Sequence, residues 1–156
     1  LDILLKAFSR LPEKLTKSTM LQIVGYPKIP IEPYKILARE LGTENRTFWD
    51  PRLIEEKEVA TYFASAYAII LPYRQIDQSG VLMVALAFGK PILASRVGGL
   101  EETIINGIHG FLFEPNDVDS PARYMAIILE DENKWSLMAR EVERLAAENL
   151  SCSNIA

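Results

Sequence analysis

Gln78-Ser79-Gly80-Val81 places two hydrogen-bonding side chains beside a glycine that lets a ligand approach the backbone. Before this stretch, Ala68 to Tyr73 is a short apolar run interrupted by Pro72, the pattern of a buried strand. After it, Val81 to Phe88 is apolar on every face and stops at Gly89, the pattern of a buried helix. A helix that opens at Ser79-Gly80 turns bare N–H groups and a positive dipole end toward the strand-end loop, and that chemistry suits a phosphate. A helix cap with a packing glycine is the plainer reading of the same residues. Near them Arg74 offers a guanidinium to a phosphate and Asp77 a carboxylate to a hydroxyl, although either also reads as a solvated loop charge. Glu102 either reaches a ligand or braces the turn at Gly98-Gly99. Arg52, with Phe48, Trp49 and Pro51, could frame a flat ring, although core packing is the more ordinary fate of the aromatics.

The elements that must position these residues follow from periodicity. Leu1, Leu4, Leu5, Phe8 and Leu11 share one helical face, ended by Pro12. Strands are expected at Met20 to Val24, Arg46 to Trp49, Ala68 to Leu71, Pro91 to Ala94 and Gly110 to Phe113. Helices are expected at Tyr34 to Leu41, Glu55 to Ala66, Val81 to Phe88 and Glu101 to Ile105. Another opens at Ser120-Pro121, and a long one carries Trp135, Met138, Val142 and Leu145, before a small polar tail from Ser151 to Ala156. Strand and helix alternate, which predicts a doubly wound, mainly parallel α/β sheet with helices on both faces. The unbroken apolarity of Ala68–Leu71 and Ile92–Ala94 makes them the expected central strands. Val84 is expected in the core, away from any ligand. The chain opens on a helix, so the first strand of the sheet is expected upstream of Leu1, with residues 1–156 forming one Rossmann-like domain.

Composition narrows the class. The chain has 156 residues, 49% hydrophobic and 24% charged, with a net charge of −4 and no basic cluster, which argues against nucleic acid. A single cysteine, Cys152, cannot form an internal disulfide, lacks metal-ligand companions and reads as a packing residue. It suits a reducing, cytoplasmic setting. Asp117-Val118-Asp119 has the look of a metal motif, but two loop acids before a helix start make a weak site for a hard cation, so no metal is expected. His109, the sole histidine, stands in a turn without evident partners.

Several stretches together resemble the C-terminal domain of a GT-B glycosyltransferase of the group 1, family 4 type. Met20 to Gly25 is similar to the family's Ile-Val-Gly strand end, and Ala85 to Ser95 to its Ala-x-Ala-x-Gly-Lys-Pro signature. Gly98-Gly99-Leu100 with Glu102 resembles its Gly-Gly-Leu-x-Glu turn, and Asn106-Gly107 through Leu112 its Asp-Gly-x-x-Gly pattern. The resemblance implies a nucleotide-diphosphate sugar held by this domain, with no other cofactor. The sugar would pass with retention, and without metal, to a glycan or lipid-linked acceptor bound by an N-terminal domain. Peripheral membrane contact through the whole protein is compatible with it. Taken with the residue readings above, the candidate donor-binding residues are Gln78, Ser79, Gly80, Val81, Asp77, Arg74, Arg52 and Glu102, and no catalytic residue is assigned. The chain departs from the family where a pair of glutamates is common: Ile76 and Val84 occupy those positions, and Asp77 is the one acidic residue between Glu58 and Glu101. Two rivals stay open, the first of them supported by that departure. One is a binding module or partner subunit that holds nucleotide sugar without catalysis. The other is an unrelated flavodoxin-like or receiver-type domain, for which Asp50 alone is a poor acidic cluster.

Overall fold

The computed structural model describes residues 1–153. Among them the order is α1 (Asp2–Ser9), α2 (Glu13–Thr16), β1 (Leu21–Val24), α3 (Glu32–Glu40), a 3-10 turn (Glu44–Arg46) and β2 (Thr47–Asp50). Then come α4 (Glu56–Ser65), β3 (Ile69–Leu71), α5 (Gly80–Ala87), β4 (Ile92–Ser95) and α6 (Gly98–Thr103). The chain continues through β5 (Gly110–Phe113), α7 (Asp119–Glu130) and α8 (Glu132–Ser153). All strand pairs are parallel.

Side chains alternate faces along a strand. Leu93, Phe111 and Phe113 join one apolar cluster with Leu4, Leu5 and Phe8 of α1 and Met125 and Ile128 of α7. Ile92, Ala94 and Leu112 join a second, with Leu82 and Leu86 of α5, Leu100 of α6 and Val142 of α8. Both faces of the sheet are therefore covered, as its unbroken apolar runs require.

The strands form two ladders, β1-β2 and β3-β4-β5. This corrects the expectation for Ala68–Leu71. β3 is an edge of its ladder with Ile69 and Ile70 half-buried, while β4 is central and buried at every position. The reason is that no described strand pairs with the second edge of β3. That edge and the free edge of β1 line the same apolar cavity of about 1090 Å³, floored by Phe8, Met125 and Ile128. Val84 also lines this cavity and is half-buried, and Val81 and Met83 are exposed, so α5 is less enclosed than its all-apolar sequence predicts.

Other boundaries moved for local reasons. α6 begins at Gly98 rather than Glu101, so the two glycines form its first turn. α7 begins at Asp119, one residue before the expected Ser120 cap. Asp117 supplies the cap instead, its Oδ1 accepting from the N–H groups of Asp119 at 2.9 Å and Ser120 at 3.2 Å. The hydrogen bond from Ser120 and the N–H donors hold the Asp117 carboxyl below its usual range. Ser151 to Ser153 continue α8 rather than forming a tail, and residues 154–156 lie outside the described residues. Cys152 is exposed, not packed.

His109 is buried, and its Nδ1 accepts the N–H of Ile105 at 3.1 Å, which requires that nitrogen to be unprotonated. Burial pushes its pKa down, opposed by Glu141 and Glu148 of α8 and aided by Arg144. A histidine whose folded pKa is depressed contributes stability above its unfolded value, and that contribution is lost as pH falls below about 6.5 toward the folded value. Melting temperatures between about pH 7.5 and 5 should fall less steeply in His109→Gln than in the parent. Equal slopes in the two proteins would remove His109 from the acid sensitivity.

Candidate functional site

The loop from Pro72 to Ser79 leaves the carboxyl end of β3 and feeds α5, and three neighbours fix its path. Ser95, fully buried at the end of β4, places its hydroxyl 2.5 Å from the Tyr73 carbonyl oxygen and 3.1 Å from that of Leu71. Gly99 donates its N–H to the Asp77 carbonyl at 3.0 Å. A side chain at Gly98, where φ is +47°, would collide with the Ile76 carbonyl, and a Cβ at Gly99 would lie 2.7 Å from the Asp77 oxygen. The two glycines therefore let the backbone of α6 lie against the loop; Glu102 does not brace it. Glu102 is exposed and has no hydrogen-bond or ion-pair partner among the described residues.

At the end of the loop Ser79 is the N-cap of α5. Its Oγ accepts the Leu82 N–H at 3.2 Å, so its hydroxyl is committed to the helix. Among the described residues the N–H groups of Gly80 and Val81 have no hydrogen-bond partner. Gly80 is exposed, and a Cβ there would meet nothing within 4 Å. Asp77 and Gln78 are exposed beside it. A shallow cavity of about 530 Å³ lies against this loop, lined by Arg74, Asp77 and Gly98 among others.

The remaining candidates stand apart or are engaged. Arg52 is clamped at the end of β2: its Nε is 2.9 Å from Asp50 Oδ1, and its other nitrogens lie 2.6 and 2.8 Å from the Glu58 carboxylate. Tyr62 donates to Asp50 Oδ2 at 2.6 Å, which raises the phenol's pKa and closes the cluster. Trp49 packs into the core, whereas Phe48 is 43% exposed. Among the described residues no three His, Cys, Asp or Glu side chains are grouped as metal ligands. Sequence reasoning missed Ser95, whose only signal was its place at the end of the Ala-Ser signature, and Asp2, which carried none.

This arrangement is that of a parallel sheet with an exposed loop outside the carboxyl end of β3, the place where open α/β sheets bind ligands. The family model "Glycosyl transferases group 1" matches residues 1–144. The chain belongs to the group 1 glycosyltransferases. Among relatives of this glycosyltransferase chain is the D-inositol 3-phosphate glycosyltransferase of Corynebacterium efficiens. It is 35% identical over 145 residues, which cover 90% of this chain and 34% of that protein. HepE of Anabaena, solved in complex with UDP, superposes with a TM-score of 0.81 at 22% identity, covering 94% of this chain and 40% of its own. The C-terminal domain of the group 1 protein LpcC of Francisella tularensis superposes with a TM-score of 0.83 at 14% identity, covering 94% of this chain and 77% of that one. These superpositions show the fold. The chain spans roughly a third of the curated relatives it matches.

Proposed function

We propose that this chain is the donor-binding part of a glycosyltransferase and holds a nucleotide-diphosphate sugar outside the carboxyl end of β3. The diphosphate sits on the Gly80 and Val81 N–H groups, and Gln78, Asp77 and Glu102 are the polar side chains nearest the sugar. The observation that carries this reading is the pair of unpartnered N–H donors at the first turn of α5, on a loop fixed by Ser95, Gly98 and Gly99. As the bond from the sugar to the diphosphate breaks, negative charge grows on the leaving phosphate. Oriented N–H donors at a helix start stabilise that charge without reorganising.

The UDP complex of HepE supports a nucleotide ligand for this fold. Retention and a glycan or lipid-linked acceptor rest on the family resemblance. Transfer without metal is supported by Asp117, whose carboxylate is committed to the α7 start. The acceptor is assigned to an N-terminal domain across a cleft from this one. No described helix is long and apolar enough to cross a membrane, and a cytoplasmic site with peripheral contact through the whole protein fits that reading. Ile76 and Val84, at positions where the family commonly has glutamates, favour a second reading: a domain that binds nucleotide sugar without catalysis.

Calorimetry with UDP, GDP and ADP tests the binding. This chain alone should bind one of them and transfer nothing, because positioning of the acceptor, which can contribute roughly 7–11 kcal/mol, is absent. Gly80→Val should weaken that binding about tenfold, the loss of roughly one charge-assisted hydrogen bond. The melting temperature should stay near the parent's, since the new side chain points into open space. Equal affinity in both proteins would take the diphosphate off this loop, and sugar transfer by the isolated chain would end the donor-half reading.

A further inference from the structure

Three arginines stand within three residues of the carboxyl ends of β2, β3 and β4, and their surroundings differ. Arg52 is held by two carboxylates, Asp50 and Glu58. Arg96 is likewise held by two, with Nη1 3.2 Å from Glu101 and Nε 3.2 Å from Glu114. Arg74 has one. Its Nη2 alone reaches the two oxygens of Asp2, at 3.2 and 3.3 Å, while its Nε and Nη1 have no partner among the described residues. Its side chain is 67% exposed, and with Asp77 and Gly98 it lines the shallow cavity against the loop, whereas Gly80 and Val81 line the larger cavity. A guanidinium carries its donors in a planar fork that matches two oxygens at once, and here most of that fork is unused.

We infer that Arg74 is the side chain that turns to the donor diphosphate, and that Asp2, in the first turn of α1, is its resting partner and competes with the phosphate for it. This rests on the donor-binding reading above. A diphosphate offers more negative charge and more acceptor oxygens than one carboxylate, so it displaces Asp2 from the fork. Arg74 is then a specificity residue for phosphate: it supplies the positive charge that the neutral Gly80 and Val81 N–H donors lack and offsets the Asp77 carboxylate in the same loop. The exchange draws on the reach of the long arginine side chain, which is exposed at the wall of the shallow cavity.

The experiment titrates UDP, GDP and ADP into the intact protein that carries this chain, as wild type, Arg74→Gln, Arg74→Lys, Asp2→Asn and the Asp2→Asn/Arg74→Gln double variant, each at low and high salt. Arg74→Gln should weaken the preferred nucleotide about tenfold and flatten its salt dependence, with Arg74→Lys in between. Asp2→Asn should tighten it about threefold, and that gain should vanish in the double variant, which behaves as Arg74→Gln alone. A purely structural Arg74–Asp2 pair predicts the opposite sign for Asp2→Asn, so weakening by that variant overturns the inference. Wild-type affinity in Arg74→Gln overturns it as well. If the wild type binds none of the three nucleotides, the donor-binding reading falls first and this one with it; binding that is indifferent to Arg74 removes only the present inference.

Discussion

Gly98→Ala should cost the protein its nucleotide site out of proportion to its stability. The position has φ +47°, a left-handed conformation that costs an L-residue about 1–2 kcal/mol. The new Cβ would also collide with the carbonyl of Ile76, which is backbone and cannot rotate away. One of the two segments must therefore shift, and the loop from Ile76 to Ser79 is the freer, since Asp77 and Gln78 are exposed and Ile76 is its one core contact, whereas Leu100 of α6 is fully buried. Moving it displaces the Gly80 and Val81 N–H donors from any phosphate they bind. Misplacement of about 1 Å can cost about a hundredfold in a catalysed rate, and nucleotide affinity should fall roughly tenfold or more. Calorimetry with the preferred nucleotide, beside a melting curve, checks both. Parent-like affinity in a folded Gly98→Ala protein would show that the α6 contact does not shape the site.

Leu93→Ala should do the reverse. Leu93 is fully buried in the middle of β4, among Phe8, Phe111, Met125 and Ile128. Removing a buried leucine side chain leaves a cavity and costs about 2–5 kcal/mol. Denaturant titration should show that loss as a lower midpoint at similar slope. Below the unfolding transition the nucleotide site should be intact, because Leu93 faces the cluster of α1 and α7 and not the α5–α6 side that carries the loop. A loss under about 1 kcal/mol would mean that the neighbours collapse into the space, contrary to the central position assigned to β4. The pair of variants thus separates the shape of the loop from the stability beneath it.

The alternation of strand and helix was legible because each buried element is strongly apolar over the length proper to its type. Gly110–Phe113 was placed to the residue, and Ile92–Ser95 within one. Boundaries failed where a cap had two candidates: Ser120 has the right chemistry for a cap, yet Asp117 lies where its carboxylate reaches two N–H groups. The α5 start at Ser79-Gly80 was readable, since a serine before a glycine and an apolar run is a local signal. The loop's supports were not, because Ser95, Gly98 and Asp2 act through contacts distant in sequence. Nor could composition reveal that Arg52 is clamped while Arg74 is nearly free. That difference depends on which carboxylates the fold brings within about 3 Å of each guanidinium.

The division of the strands into two ladders has a consequence for how the protein breathes. Among the described residues no backbone hydrogen bond joins β1-β2 to β3-β4-β5; the two parts are joined by side chains, chiefly α1 against α7 around Leu5, Phe8 and Ile128. Cooperative units in proteins tend to follow such seams, opening at free energies below that of global unfolding. β1, α3 and β2 can then loosen as one unit while α1 stays packed with α7, β4 and β5. Amide protons of β1 and β2 exchange through that partial opening, whereas those of β4 await the collapse of the whole.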